Sequence, residues 1–315
     1  MKPNCLLLEY ISSEALAILE KHTHVIKAKT PASGMEIATE MPIDVIVTRG
    51  SGQVDEQLMN HCQGLKMIAR CGVGLDNVDI AHASELGIKV INAPGSNADT
   101  VAEHTLALLL AAKRQIPMYA KAAKANNWMN RSQYDGDEIR GKTLGILGLG
   151  NIGSKVAQLA TAFGMTVQYW NRTPKETPYL SVTFETLIST SDIISIHLPQ
   201  VKATHHLINA PAFQKMKSTA FIINTARGTI IEELALIEAL KNQRIAGFAA
   251  DVLYQEPPID NHPLFQFPNV LITPHTASLT ALTFNEMCVI TANNLVDFLA
   301  GKDIEERFIF NRAAF

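Results

Sequence analysis

The chain has 315 residues, of which 47% are apolar and 18% are charged, and its formal net charge is −3. At about 150 residues per domain, this length predicts two domains with sizeable apolar cores. The small negative charge and the scattered lysines and arginines argue against nucleic acid as a partner.

Short β-like runs alternate with helical stretches along residues 1–95, and this pattern is typical of a parallel sheet. Glycine-rich turns follow two of the strands, at residues 49–52 and 71–77. Ligands of open α/β sheets bind beyond the carboxyl ends of the strands, so these turns are either binding loops or simply tight connections. The predicted elements are strands Cys5–Leu8, Val45–Val47, Met67–Ala69 and Lys89–Ile91, and helices Ser13–Lys21 and Asp55–His61.

A long helical stretch over residues 98–125 is apolar nearly all round, so we expect it to be buried on several sides. Pro117 is a candidate for a kink in it. Such a helix suits a domain junction or a subunit interface.

Six further strands with intervening helices cover residues 140–282 and predict a complete doubly wound sheet. A last helix over residues 278–300 is expected to carry the chain back to the first sheet. The predicted strands are Thr143–Leu147, Thr166–Trp170, Ile193–Ile196, Ala220–Ile223, Gly247–Ala250 and Val270–Ile272.

The segment Gly148-Leu149-Gly150-Asn151-Ile152-Gly153 follows a buried strand and opens a helix, which is the context that a dinucleotide fingerprint requires. Gly148 permits the tight turn, Gly150 lets a pyrophosphate approach the backbone, and Gly153 lets the helix pack on the sheet. Free N–H groups at the helix start, which includes Asn151 and Ile152, then face the anion.

These features together predict an α/β protein with two doubly wound parallel-sheet domains. Residues 98–282 form the predicted dinucleotide-binding domain. Residues 1–97 and 283–315 form a discontinuous substrate domain, built from both ends of the chain.

The cofactor preference depends on the end of the strand after the fingerprint, which reads Asn171-Arg172-Thr173-Pro174-Lys175. An NAD site normally carries an acidic residue there, and Asn171 is not acidic. Arg172, Thr173 and Lys175 are suited to a 2′-phosphate, the arginine through a bidentate fork. We therefore predict NAD(H) or NADP(H) as cofactor, with NADP(H) favoured. The alternative is that Arg172 and Lys175 are ordinary solvated charges.

Hydride transfer to a keto acid needs a cation for the carboxylate and an acid for the developing alkoxide. Arg227 follows a predicted strand and can bind a carboxylate bidentately. Glu256 and His275 also follow predicted strands. A glutamate bonded to a histidine raises the imidazole pKa and fixes its tautomer, so His275 can donate a proton.

The other histidines give no metal site. The pairs His22/His24 and His205/His206 have no acidic or cysteine partner at ligand spacing. His104 lies on the apolar helix and is interpreted as a satisfied core histidine.

The four cysteines, Cys5, Cys62, Cys71 and Cys288, form no Cys-x-x-Cys pair and are expected to be reduced, buried thiols. The N-terminal segment lacks the pattern of a signal peptide. The longest apolar run, near residues 106–112, is far shorter than a membrane span. We therefore expect a cytoplasmic protein with no membrane partner.

In order and separation, these segments resemble the D-isomer-specific 2-hydroxyacid dehydrogenase family over nearly the whole chain. The resemblance implies a Rossmann-type nucleotide domain, a flavodoxin-like substrate domain and a small 2-hydroxy or 2-keto acid as substrate. It also implies that Arg227 binds the substrate and that Glu256 and His275 are a relay pair, with His275 as proton donor. The segments that carry it are Gly148–Gly153, Asn224–Gly228, Ala250–Pro257 and Thr273–His275.

The same resemblance assigns further roles. Asp251 is expected to bond the nicotinamide carboxamide, and the backbone N–H groups of Val73 and Gly74 to hold the substrate carboxylate. His197 either flanks the adenine or is structural. A homodimer formed through the nucleotide domain is also implied. Positions that resemble the cofactor wall are Leu198, Pro199, Thr225 and Ala226.

Two subtypes remain open. Residues 49–51, 72–79 and 114–117 resemble short D-3-phosphoglycerate dehydrogenases, in which Arg49 and Arg131 are expected to meet a substrate phosphate. Residues 171–173 resemble NADPH-dependent glyoxylate/hydroxypyruvate reductases instead.

With no further domain after Phe315, we expect no dedicated effector site. An NAD-sensing corepressor-like binding protein is a weaker alternative, because all three catalytic positions are intact. A formate-type dehydrogenase is also weaker, because the sequence shows no long N-terminal extension to support it.

Overall fold

The computed structural model describes residues 2–314 and contains two parallel sheets, of five and seven strands. The predicted α/β class is confirmed. The strands are β1 (Asn4–Leu7), β2 (His24–Lys27), β3 (Val45–Thr48), β4 (Met67–Arg70), β5 (Lys89–Ile91), β6 (Thr143–Leu147), β7 (Thr166–Trp170), β8 (Leu180–Ser181), β9 (Ile193–Ile196), β10 (Phe221–Asn224), β11 (Gly247–Ala250) and β12 (Val270–Ile272). The helices are α1 (Ser13–His22), α2 (Gly34–Glu40), α3 (Glu56–His61), α4 (Ile80–Glu85), α5 (Ala98–Lys113), α6 (Ile116–Lys124), α7 (Asn151–Ala162), α8 (Phe184–Thr190), α9 (Ala210–Lys215), α10 (Glu233–Lys241) and α11 (Ala281–Leu299).

The chain divides into two compact units. The first consists of Met1–Asn97 with Leu279–Phe315, and the second of Ala98–Ser278. Within residues 2–314, no helix is both long and apolar enough to cross a membrane.

The sheet of the first unit has the strand order β2-β1-β3-β4-β5. Each of its inner strands, β1, β3 and β4, is apolar at three of its four positions, because both faces of the sheet are covered. Leu6, Ile46 and Ile68 pack on one face, whereas Leu7 and Val47 point to the opposite face, toward α1 and α11. The edge strand β2 was not predicted, because only two apolar residues lie between its exposed ends.

The sheet of the second unit has the order β12-β11-β10-β9-β6-β7-β8. All six predicted strands are present, and the two-residue edge strand β8 is an addition that is too short to leave a sequence pattern. The chain builds outward from β6 in both directions, first through β7 and then through β9. The carboxyl end of β6 is therefore the topological switch point, where open α/β sheets bind their ligands.

The predicted long helix over residues 98–125 is two helices, α5 and α6. The break lies at Gln115, whose φ of 49° is left-handed, and Pro117 falls in the first turn of α6. A proline has no N–H and its ring clashes with the carbonyl four residues earlier, so it is tolerated only where a helix begins. The expectation of one kinked helix was therefore wrong, because the proline starts a second helix.

Candidate active site

The strand register of the second unit places the predicted site residues along one edge of its sheet. The last residues of β7, β6, β9, β10, β11 and β12 pair with one another in sequence across the sheet. Residues that follow these strands directly must therefore lie at the same edge. They are Gly148, Asn171, His197, Thr225, Ala226, Arg227, Asp251 and His275.

Glu256 and His275 form a short hydrogen bond, with 2.6 Å between Glu256 Oε2 and His275 Nδ1. The second carboxylate oxygen accepts the Leu253 N–H at 2.9 Å, which holds the carboxyl group in place. The side chain of His275 is 51% exposed. Because the glutamate engages Nδ1, Nε2 is the ring nitrogen that can exchange a proton with a bound acid.

The pair shifts both pKa values in opposite directions. The hydrogen bond that His275 donates to Glu256 raises the pKa of His275 above its ordinary value, and this outweighs burial and the nearby Arg227 charge. Burial acts to raise the pKa of Glu256, but the bonds from His275 and the Leu253 N–H outweigh it, so this pKa is lowered. The imidazolium with its carboxylate partner therefore persists to a higher pH than an isolated histidine would allow.

This electrostatic coupling predicts the pH dependence of a Glu256→Gln variant. If protonated His275 is the acid in keto-acid reduction, kcat/KM falls as the pH rises through the His275 pKa. Glutamine removes the charge that raises this pKa, so the fall is expected to begin at lower pH. The oxidative direction needs neutral imidazole and should gain activity at lower pH. Profiles of kcat/KM against pH in both directions measure the shift.

Glu238→Gln, at an exposed position of α10, serves as the matched control and should leave both profiles in place. Identical profiles for Glu256→Gln and the unaltered protein would show that the pair does not control the reaction.

His275 is held in a left-handed backbone conformation, with φ of 54°. Its N–H donates to the backbone oxygens of Asp251 at 2.9 Å and Thr273 at 3.0 Å. The buried Asp251 carboxylate accepts from the Thr273 hydroxyl at 2.6 Å and from the N–H groups of Thr276 at 2.9 Å and Ala277 at 2.7 Å. Asp251 therefore organises the turn that presents the imidazole, a role that the sequence did not indicate. Its predicted bond to the nicotinamide carboxamide stays a prediction.

His104 belongs to the same polar network. Its Nε2 lies 3.0 Å from Thr273 Oγ1 and 3.5 Å from Asp251 Oδ1. The histidine is satisfied, as expected, but its side chain is 25% exposed and it supports the turn behind His275 rather than an apolar core.

The Arg227 loop is shaped by the last residue of β10. The Asn224 amide donates to Arg227 O at 2.9 Å, and its oxygen accepts the Ala226 N–H at 3.0 Å. The guanidinium Nη1 donates to Ala226 O at 2.7 Å. A Cβ on Gly228 would overlap the Leu253 backbone, so this loop packs directly on the segment that leads to the glutamate. The positive charge of Arg227 acts to lower the pKa of both Glu256 and His275.

The glycine-rich loop has the features that a dinucleotide phosphate needs. Gly148 has φ of 97°, which favours glycine, and a Cβ on Gly153 would overlap the Gly148 carbonyl. Helix α7 begins at Asn151, and no side chain caps its N-terminus at Gly150. A Cβ on Gly150 would meet nothing within 4 Å, so open space lies outside the loop. The residues present therefore fit a dinucleotide, with Asn151, Ile152 and Gly153 supplying first-turn N–H groups.

Asn171 is tied to this loop, because its Oδ1 accepts the Leu149 N–H at 2.7 Å. Arg172 and Thr173 are exposed beside it. Asn171 and Arg172 line an open groove of about 610 Å³, together with Trp170, Pro174, Ser181, Val182, Thr183, Phe184, Glu185 and Thr186.

The predicted cofactor-wall residues lie along the same edge. Thr225 and Ala226 are buried, and the Thr225 hydroxyl is 2.9 Å from that of Thr105. Leu198 is half-buried, and Pro199 O accepts the Thr204 hydroxyl at 2.7 Å.

His197 follows β9 beside the first glycine of the loop, which packs against its backbone carbonyl. Its Nε2 lies 2.8 Å from Ser195 Oγ. Burial lowers the pKa of His197 to about 3, so its ring is neutral at physiological pH.

The other predicted substrate residues lie in the first unit, at the carboxyl edge of its own sheet. Val73 and Gly74 follow β4, and Val73 O accepts the Asn92 side-chain amide at 2.7 Å. Gly72, with φ of 148°, begins this turn. Arg131, the second candidate for a substrate phosphate, lies in the second unit on the short helix Trp128–Gln133.

Arg49 begins a loop whose backbone donors converge on Glu9, a residue that the sequence analysis missed. Glu9 Oε1 accepts the N–H groups of Arg49 at 2.9 Å, Ser51 at 3.0 Å and Gly52 at 2.8 Å, and the Thr48 hydroxyl at 3.2 Å. Burial acts to raise the pKa of Glu9, but these bonds outweigh it and lower the pKa. An internal carboxylate thus occupies the anion-binding concavity of this loop.

The Arg49 guanidinium is also engaged within the first unit. It lies 4.6 Å from the centre of the Tyr10 ring and 4.9 Å from that of Phe284. These are cation–π distances, so a substrate phosphate would compete with existing contacts for this side chain.

The rings of His205 and His206 stack on each other, with their centres 3.9 Å apart. Across residues 2–314, no group of three or more histidine, cysteine, aspartate or glutamate side chains is placed to hold a metal ion.

The chain is similar to known proteins over most of its length. Residues 106–277 match the family model "D-isomer specific 2-hydroxyacid dehydrogenase, NAD binding domain". The chain is 38% identical to a D-3-phosphoglycerate dehydrogenase from Archaeoglobus fulgidus over 94% of its own length but only 57% of that protein's. It is 38% identical to a glyoxylate reductase from Aeropyrum pernix, over 96% of this chain and 94% of that one.

Among solved structures, an NADPH-dependent glyoxylate/hydroxypyruvate reductase from Sinorhizobium meliloti, in complex with NADP and malonate, superposes with a TM-score of 0.90. It is 28% identical and covers 98% of both chains. The chain therefore belongs to the D-isomer specific 2-hydroxyacid dehydrogenase family of NAD(P)-dependent oxidoreductases. The family assignment made from the sequence is confirmed.

Proposed function

We propose that the chain transfers a hydride between a nicotinamide cofactor and a small 2-keto or 2-hydroxy acid. The observation that carries this proposal is the 2.6 Å hydrogen bond between Glu256 and His275. Arg227 lies close enough for its positive charge to act on both residues. These side chains share one sheet edge with the glycine-rich loop. The second unit binds the dinucleotide, and the N–H groups of Val73 and Gly74 bind the substrate carboxylate.

The chemistry follows from the groups at this edge. When bound, the cofactor supplies or accepts the hydride. Arg227 holds the substrate carboxylate and polarises the keto oxygen. His275 donates a proton from Nε2 to that oxygen as negative charge develops, and Glu256 stabilises the imidazolium and keeps Nδ1 engaged. In the oxidative direction, neutral His275 accepts the hydroxyl proton.

On cofactor choice, we propose that NADP(H) is preferred. Asn171 has a neutral amide at the position where an NAD site normally has a carboxylate, and a carboxylate there would repel a 2′-phosphate. The exposed Arg172 lines the adjoining groove. A charge-assisted hydrogen bond contributes about 1.5–3 kcal/mol, so Arg172→Ala should raise the KM for NADPH roughly ten-fold or more. The KM for NADH should change little.

Lys202→Ala, at an exposed position of the same unit, is the control for a general loss of positive charge. Equal effects of Arg172→Ala on both cofactors, or a clear preference of the unaltered enzyme for NADH, would overturn the NADP assignment.

Two substrate classes fit the site, each with its own support. Likeness to D-3-phosphoglycerate dehydrogenases favours a phosphorylated acid held by Arg49. The Glu9 carboxylate in the Arg49 loop and the aromatic contacts of Arg49 favour an unphosphorylated acid such as glyoxylate or hydroxypyruvate.

The test is the loss of NADPH or NADH absorbance with 3-phosphohydroxypyruvate, hydroxypyruvate and glyoxylate. Activity with the phosphorylated acid alone assigns the first class, and activity with the small acids alone assigns the second. If no combination of cofactor and acid is turned over, the proposed activity on these acids is contradicted, and the alternative of a binding protein is favoured instead.

We also propose a homodimer formed through the second unit. Helix α6 and the segment after it expose Ile116, Met118, Trp128, Met129 and Tyr134, with Trp128 68% and Met129 73% exposed. A continuous stretch with this much exposed apolar surface is typical of an interface. Sedimentation velocity tests it, and a monomer at micromolar concentration would contradict it.

A further inference from the structure

Helix α5 contributes one side chain to the turn that presents His275. His104 lies within this helix, and its Nε2 is 3.0 Å from Thr273 Oγ1 and 3.5 Å from Asp251 Oδ1. Thr273 directly follows β12 and Asp251 directly follows β11. A residue of α5 therefore reaches the ends of both strands behind the imidazole.

The direction of each hydrogen bond in this group follows from what each atom can donate. Donors reach both oxygens of the buried Asp251 side chain, as expected of an ionised carboxylate, which only accepts hydrogen bonds. Thr273 therefore uses its one hydroxyl hydrogen in the 2.6 Å bond to Asp251 Oδ1, a length typical of a charge-assisted bond. Its oxygen then accepts from His104, which must carry hydrogen on Nε2.

The His104 N–H helps to keep the Thr273 hydroxyl on the carboxylate. The hydroxyl has a second acceptor, Ala250 O, but at 3.5 Å this oxygen is too far away for a good hydrogen bond. Asp251 in turn accepts the N–H groups of the two residues that follow His275, at 2.9 and 2.7 Å. A chain of hydrogen bonds thus runs from α5 through the threonine and the aspartate to the turn.

His275 depends on such support because of its backbone conformation. Its φ of 54° is left-handed, and a residue other than glycine keeps this conformation only where its surroundings hold it. The imidazole is also half-exposed, and its Nδ1 must stay 2.6 Å from Glu256 Oε2. A small rotation of the turn would lengthen this bond and displace Nε2.

We propose that His104 is a positioning residue for the proton transfer, and that it acts through Thr273 and Asp251 to hold the turn of His275 in its productive conformation. The proposal rests on the function proposed above, in which His275 exchanges a proton with the substrate. In this role His104 need not touch either the cofactor or the substrate.

The titration of His275 reports on this role without any turnover. The charged groups that act on His275 are Glu256, Arg227 and Asp251, and its hydrogen bond to Glu256 is the largest cause of its raised pKa. If the turn loosens, this bond lengthens and the pKa of His275 falls toward its ordinary value. A loss of global stability alone would leave this pKa unchanged in the folded protein.

The experiment compares His104→Leu with His104→Gln in the full-length protein. Leucine removes the donor, whereas glutamine carries an N–H the same number of bonds from Cα as Nε2. We expect His104→Leu to lower kcat for keto-acid reduction by roughly 10- to 100-fold, the usual cost of losing a group that orients a functional side chain. The KM for the cofactor should change little. His104→Gln should recover most of the lost kcat.

The pKa of His275 is measured in the same variants from the pH dependence of its imidazole NMR signal, assigned as the signal missing from His275→Asn. It should fall in His104→Leu and return in His104→Gln. Glu103→Gln, at an exposed position of α5, is the matched control and should leave both kcat and this pKa in place.

Thr273→Val removes the hydroxyl between His104 and Asp251, and it tests the same chain of hydrogen bonds if His104→Leu does not fold. If both side chains act through this chain, the double variant should lose no more activity than the more impaired single variant, because the effects of such coupled residues are not additive.

An unchanged His275 pKa in His104→Leu and Thr273→Val, or additive losses in the double variant, would overturn the proposal. So would a His104→Gln variant as impaired as His104→Leu. If the unaltered protein turns over no acid, the proposed function fails, but the titration of His275 still decides whether His104 positions it.

Discussion

Replacement of His275 by asparagine is expected to lower kcat for keto-acid reduction by roughly 10²–10⁴, the usual contribution of a general acid. The imidazole is hydrogen-bonded through Nδ1 to the Glu256 carboxylate, which leaves Nε2 able to donate a proton. Without it, the developing alkoxide must take its proton from water. Steady-state kinetics with saturating cofactor measure the loss.

The choice of asparagine follows from the backbone. Residue 275 has φ of 54°, a conformation that asparagine adopts more readily than alanine. An alanine variant could lose activity because the turn rearranges, whereas asparagine should keep the turn and remove only the acid. The melting temperature should change little, because the side chain is half-exposed.

His205→Ala is the matched control, since His205 is an exposed histidine of the same unit. It should leave kcat within about two-fold of the unaltered enzyme, as is usual for surface substitutions. Turnover by His275→Asn equal to that of this control would remove His275 from the mechanism.

Features that depend on local sequence could be predicted without the structure. The glycine-rich turn is local, because Gly148 needs its positive φ and Gly153 its close packing within six residues of chain. Apart from the edge strands β2 and β8, the strands of both sheets are also local, since burial on two faces favours apolar runs. The pairing of Glu256 with His275 was accessible because both follow strands of one parallel sheet.

Features that depend on distant contacts were missed. His104 and Thr273 are 169 positions apart, and no pattern in α5 marks this histidine as part of the turn that carries His275. Glu9 reaches a loop about 40 positions later, at Arg49. Asp251 was assigned a role toward the cofactor, but its bonds to the N–H groups of the turn exist only in the folded chain. Such supporting groups hold functional residues and leave little trace in local sequence.

Replacement of Arg227 by lysine is expected to lower kcat/KM by about 10- to 150-fold, although the charge is kept. A planar guanidinium can hold a carboxylate through two parallel hydrogen bonds, whereas an ammonium acts as a point charge. The loss of one charge-assisted bond costs about 1.5–3 kcal/mol, which corresponds to that range.

The division of this loss between kcat and KM tests the role of the arginine. If Arg227 also polarises the keto oxygen, its bond is strongest in the transition state, and kcat must fall together with kcat/KM. If it only holds the carboxylate, the KM rises and kcat stays unchanged.

Arg244→Lys is the matched control, because Arg244 lies just before β11, at the opposite edge of the same sheet. Full activity of Arg227→Lys would mean that a point charge is sufficient. Bidentate binding of the carboxylate by Arg227 would then have to be abandoned, because loss of the fork cannot be silent if both bonds are made to the substrate.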